Sequence, residues 1–90
     1  MRVIAVDLDG TLAKAGLPVI HTVAAVNRLY EQKDTIIIIH TSRNETIRER
    51  TVEYLKQLGV NYHLLVMGKL RADVYVDDRM MSIKDFEALE

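Results

Sequence analysis

Residues Val3 to Leu12 read VIAVDLDGTL. The apolar run Val3 to Val6 is short and rich in β-branched residues, and it predicts a strand. Asp7 and Asp9 stand at its end with one leucine between them. Residues two apart on a strand point to the same side, so both carboxylates aim into one place while Leu8 turns the other way. Gly10 then supplies the freedom for a sharp turn. Two converging carboxylates repel each other unless a proton or a cation lies between them.

The segments that follow alternate between apolar runs and helical periodicity. Leu17-Pro18 opens an expected helix in which Ile20, Val23, Ala24, Val26, Leu29 and Tyr30 share a broad face, with Pro18 suited to the first turn. TIIIIHT, Thr35 to Thr41, is a second strand, apolar on both faces, as a sheet covered on both sides requires. Ser42 with Glu45 fits a capping box, and Asn44 is the other candidate cap. Ile47, Thr51, Tyr54, Leu55 and Leu58 make the stripe of a second helix that Gly59 stops. YHLLVM, Tyr62 to Met67, is a third strand. ADVYVDD, Ala72 to Asp78, is a fourth, again ending in paired aspartates. Ser82 with Asp85 starts a last helix carrying Ile83, Phe86 and Leu89.

The order β-α-β-α-β-β-α predicts one three-layer α/β domain over residues 1–90 with a mainly parallel sheet of about four strands. In such sheets ligands sit beyond the carboxyl ends of the strands, where Asp7, Thr41 and Asp77 fall.

Composition narrows the class. The chain has 90 residues, of which 49% are apolar and 28% charged, ordinary proportions for a single globular domain. Twelve basic residues against thirteen acidic give a net charge of −1, which predicts neither a nucleic-acid nor a membrane surface. The absence of cysteine excludes disulfides and thiolate metal sites and makes a reducing compartment the simplest setting. No stretch approaches the roughly 20 apolar residues that span a bilayer. The amino terminus lacks the pattern of an export signal, so the cytoplasm is expected.

Asp7, Asp9, Asp77 and Asp78 at one sheet end, with no His or Cys clustered beside them, suit a hard cation with oxygen ligands, Mg²⁺ above all. A magnesium site that leaves one carboxylate free suits phosphoryl chemistry, in which an Asp can be the nucleophile. Thr41 or Ser42 can hold phosphate oxygens, and Lys69 can offset the charge developing on them. Taken singly, each has a plainer reading. An Asp at a strand end is a turn residue, a lone Asp pair a solvated loop, Thr41 a cap and Lys69 a surface lysine. Their order along the chain is what points to a site. His21, His40 and His63 share no metal-ligand spacing and read as packed or surface residues, and Met80-Met81 as core filler.

Those residues carry a family likeness. DLDGTL resembles the first motif of haloacid dehalogenase-type (HAD) phosphatases, IIIIHTSR the second, GK the third and VYVDDR the fourth. The resemblance spans nearly the whole chain. It implies a Rossmann-like, HAD-like fold and a Mg²⁺-dependent phosphomonoester hydrolase. Asp7 would be the nucleophile, and Asp9 the general acid and then the base. Mg²⁺ would be held by Asp7, the Asp9 carbonyl and Asp77, with Asp78 direct or through water. Thr41 and Lys69 would bind phosphate. Arg43 and Arg79 follow two motifs, in a pairing similar to the phosphatase domains of polynucleotide kinase-phosphatases. Each either contacts substrate or pairs with a nearby carboxylate.

Only Ala13 to Leu17 separate the first motif from a helix, and Ser42 to Gly68 hold one helix and one strand. The resemblance is therefore to a capless form with a very short screening loop. It ends soon after the fourth motif, without the usual fifth strand. An uncovered edge would invite self-association. The open site suits a phosphorylated small molecule or a nucleic-acid end. Two other functions fit the same residues less well: an inactive HAD-fold binding or regulatory protein, and a receiver-like phospho-acceptor domain. The third strand, where a receiver carries its acceptor, ends without an Asp.

Overall fold

The computed structural model describes residues 1–89. β1 (Arg2–Asp7), β4 (Thr35–His40) and β5 (Leu64–Val66) form a parallel sheet in the order β1-β4-β5. A hairpin of β2 (Ala13–Lys14) and β3 (Leu17–Pro18) makes a second, two-stranded sheet. The helices are α1 (Ile20–Tyr30), α2 (Arg48–Leu58) and α3 (Ile83–Glu87). Among the described residues no helix is long and apolar enough to cross a membrane.

Register divides the sheet into two unlike faces. Ile4 lies beside Ile37, and Val6 beside Ile39, whose other neighbour is Leu65. With Leu8, Leu12, Val26, Leu29, Leu55, Leu58 and Phe86 they make one core. Leu8, Leu12, Leu29, Ile37, Ile39 and Leu55 are fully buried, each stabilising the fold by about 1.5–3 kcal/mol. The other face carries Val3 and Ile36, then Ala5, Ile38 and Leu64, then Asp7, His40 and Val66. Here Val3 is 57% exposed, Leu64 54% and Val66 47%.

The domain therefore has two layers, not the three expected. Right-handed crossovers that step from β1 to β4 to β5 in one direction place both connecting helices on one face. Asn27 of α1 ties that layer together. It donates to the Gly59 carbonyl at 2.8 Å and accepts the Asn61 N–H at 2.7 Å, both just beyond α2. α3 joins α1, with Thr22 donating to Glu87 at 3.2 Å and Arg28 to the Glu87 carbonyl at 2.9 Å.

The expected fourth strand is absent: Ala72 to Asp78 is irregular and exposed. A strand needs a partner edge and a covered face. This stretch offers only the alternating Val74 and Val76, which are 73% and 93% exposed. Met80 and Met81, expected as core filler, are exposed with it.

Other boundaries also move. Leu17-Pro18 does not open α1 but pairs with Ala13–Lys14, because the residue before a proline is driven out of the helical region. Ala15 and Gly16, both with positive φ (51° and 78°), turn this hairpin. Asn44, not Ser42, caps the turn Glu45–Ile47, accepting the Thr46 N–H at 2.9 Å. Glu45 pairs instead with Arg48. Gly59 ends α2 in the left-handed region, and Ser82 caps α3 through the Asp85 N–H, both as expected. β5 is shorter than Tyr62 to Met67, but His63 extends its ladder. The His63 N–H donates to the Ile37 carbonyl, and its Nδ1 accepts the Ile37 N–H, both at 2.9 Å. Its ring stacks on Tyr30 at 4.5 Å.

Candidate active site

Asp7 ends β1 level with His40 at the end of β4. Its Oδ1 accepts the Leu8 N–H at 3.0 Å, and its Oδ2 lies 3.9 Å from Lys69 Nζ. After Leu8 the chain wraps tightly: the Leu12 N–H reaches the Leu8 carbonyl at 2.9 Å, and the Gly10 N–H reaches the Ala13 carbonyl at 2.8 Å. Gly10 has φ +83°, which a side chain would strain. This turn presents Asp9 beside the hairpin.

Arg43 meets Asp9 as a fork. Nε donates to Oδ2 at 3.1 Å and Nη2 to Oδ1 at 2.9 Å. Tyr54 of α2 lies against the guanidinium, 4.9 Å from ring centre to Cζ. The Asp9 hydrogen bond raises the Arg43 pKa further above its already high value.

The two cations come from loops stitched to each other. The Thr41 N–H donates to the Val66 carbonyl at 3.0 Å, the Gly68 N–H to the Arg43 carbonyl at 2.9 Å, and the Lys69 N–H to the Thr41 carbonyl at 2.8 Å. Thr41 is buried, and its hydroxyl oxygen accepts the Arg43 N–H at 3.2 Å. Ser42 sits half-buried between them. Tyr75 covers Lys69, with Nζ 4.2 Å from the ring centre, and its hydroxyl is bonded to the Leu70 carbonyl and the Ala72 N–H. Burial pushes the His40 imidazole below its usual pKa, Lys69 adds to that, and Asp7 opposes it.

Asp7, Asp9, Thr41, Arg43 and Lys69 are thus linked contact by contact, with Ser42 between Thr41 and Arg43 in the chain. Among the described residues no hydrogen bond or ion pair links Asp77, Asp78 or Arg79 to them. Asp77 Oδ1 accepts the Arg79 N–H at 2.8 Å, and that bond, with a smaller effect from Asp78, holds Asp77 below the ordinary carboxylate pKa. Among the described residues no three His, Cys, Asp or Glu groups are gathered to hold a metal ion. Asp7 and Asp9 each face a cation of the chain itself.

Tyr54 and Tyr75 are the site residues that sequence reasoning missed. Tyr54 lay in the apolar stripe of a helix, and Tyr75 in the alternation of an expected strand. Neither pattern tells a core residue from one that flanks a cation.

No protein-family model matches the chain, and no curated protein matches it. Among solved structures, it is similar to the crystal structure of a structural-genomics target from Vibrio cholerae, at 25% identity and a TM-score of 0.82. That likeness covers all of this chain and 90% of the other.

Proposed function

We propose that the protein is a phosphomonoester hydrolase of the HAD type, working through an aspartyl-phosphate intermediate. One observation carries the reading: the two carboxylates of the D-x-D turn each face a cation, Lys69 at 3.9 Å and Arg43 at 2.9 Å, delivered by two later loops. A phosphate entering there meets a nucleophile, a proton donor and positive charge together.

In the first step an Asp7 oxygen attacks phosphorus and the bond to the leaving oxygen breaks. Asp9, released from Arg43 and carrying a proton taken up from solvent, gives that proton to the leaving oxygen. In the second, Asp9 takes a proton from water, the water oxygen attacks phosphorus, and the Asp7–phosphorus bond breaks to release inorganic phosphate. Lys69 and the Thr41 hydroxyl hold the phosphoryl oxygens. Magnesium held with Asp77 and Asp78 belongs to this reading through the family resemblance, and the present arrangement supports it least. A Rossmann-like origin for the sheet and a cytoplasmic setting belong to the same proposal. The substrate class is a phosphorylated small molecule or a nucleic-acid end.

A second reading, a phosphate-binding protein without turnover, is favoured by one observation: among the described residues no three His, Cys, Asp or Glu groups are gathered to hold a metal ion. The deciding assay uses an activated aryl phosphate with and without Mg²⁺, beside Asp7→Asn. Wild-type release that chelator stops, Mg²⁺ restores and Asp7→Asn abolishes is the expected result. Equal rates for wild type and variant would remove Asp7 as the nucleophile, and indifference to chelator would remove the metal. No release under any condition would leave the binding reading.

A further inference from the structure

We infer that Arg43 is an anion-recognition residue held in reserve by Asp9: an incoming phosphate takes the guanidinium, and Asp9 is released as it does so. This deepens the proposed function, resting on it only for where the phosphate sits.

Three observations lead here. First, the fork is geometrically good but wet. Arg43 is 28% and Asp9 56% exposed, and an ion pair at that exposure contributes about 0–1 kcal/mol. A phosphate dianion, carrying more charge and more acceptor oxygens than a carboxylate, outcompetes it. Second, the arginine is built to keep its place when Asp9 lets go. Its backbone is fixed by the Thr41 hydroxyl at 3.2 Å and by Gly68 at 2.9 Å, and Tyr54 supports the guanidinium. Exchange needs only a change of partner, and Nη1 donates to none of the described residues. Third, the contacts close a ring: Asp7 to Lys69, Lys69 to Thr41, Thr41 to Arg43, Arg43 to Asp9. Both cations of this ring border the same pair of aspartates.

The exchange also answers how two aspartates one residue apart are tolerated here. Each is neutralised by its own cation until a ligand arrives. Asp9 is then free for proton transfer only when phosphate is present.

Calorimetric titration with inorganic phosphate, at low salt and in chelator, tests this on wild type, Asp9→Asn, Arg43→Ala and the double variant, with circular dichroism confirming the fold of each. Arg43→Ala weakens phosphate binding about tenfold. Asp9→Asn tightens it about two- to fivefold by freeing the arginine. That gain disappears when Arg43 is already alanine. An equal gain in both backgrounds would mean only that a negative charge had been removed, and would overturn the inference. So would a wild type that ignores phosphate at millimolar concentration. Arg43→Lys, which keeps the charge but loses the fork, recovers part of the affinity. Turnover is not read in this experiment. A protein showing the coupling but no hydrolysis would refute the phosphatase and leave the exchange standing, while an active phosphatase without the coupling would do the reverse.

Discussion

The chain holds two aspartate pairs, and the structure treats them oppositely. Asp7 ends a strand locked into the sheet, Asp9 stands in the turn just after it, and each meets a cation from a distant loop. Asp77 and Asp78 follow a stretch with a comparable alternation, yet the Asp77 carboxylate bonds to a backbone N–H two residues on. The residue types are the same. What differs is the support: Val6 and Leu8 flank Asp7 in the core, whereas Val74 and Val76 lie in solvent. A carboxylate becomes a site residue when the backbone beneath it is held to a fraction of an ångström, and packing does the holding.

The comparison can be broken first through activity. Asp7→Asn should lower aryl-phosphate turnover by a thousandfold or more, in line with removing a nucleophile (about 10³–10⁶). Asp77→Asn should cost less in the same assay, because in the proposed mechanism Asp77 would help hold the metal and would not attack phosphorus. Equal losses would show that the second pair is as necessary to turnover as the first.

A stability measurement sharpens the contrast at the next scale. Ile39→Ala should destabilise the fold by about 2–5 kcal/mol, leaving a cavity beneath the site. Val76→Ala, at a 93% exposed position, should stay within about 0.5 kcal/mol. Denaturant midpoints that fell equally would place Val76 in a packed strand after all.

The smallest effect concerns pH. His40, beside Asp7, has a folded-state pKa below its ordinary 6.5, first through burial and then through Lys69. A lowered histidine pKa means that the unfolded chain binds the proton more readily. Its contribution is therefore complete above about pH 6.5 and is lost as the pH falls through the lower folded value. Melting temperatures of wild type and His40→Gln at pH 7.5 and 5.5 should show the wild type losing more on acidification. Parallel losses would assign the acid sensitivity elsewhere.

What was legible in the sequence follows the same division. VIAVDLDG announces a strand and a turn because period and glycine agree within eight residues, and Gly59 and Ser82 declare their caps locally. Ala72 to Asp78 looked like a strand because alternation is a local signal, whereas pairing depends on an edge and a cover elsewhere. The three-layer expectation failed for the same reason. Arg43 was visible as a residue with two possible partners, and only the fold brought Asp9 within 2.9 Å of it. Tyr54 and Tyr75 needed the fold entirely.

The hairpin beside Asp9 has a consequence for how such a site changes over time or by design. Its tip, Lys14 to Gly16, is exposed, and Ala15 holds a left-handed φ of 51° at some energetic cost. Its base is fixed by Ala13, which is buried and bonded to the Asp9 turn. Extra residues spliced between Ala15 and Gly16 would relieve that cost and grow outward from an anchored stem, leaving the core undisturbed. The hairpin beside Asp9 is thus a separately adjustable part.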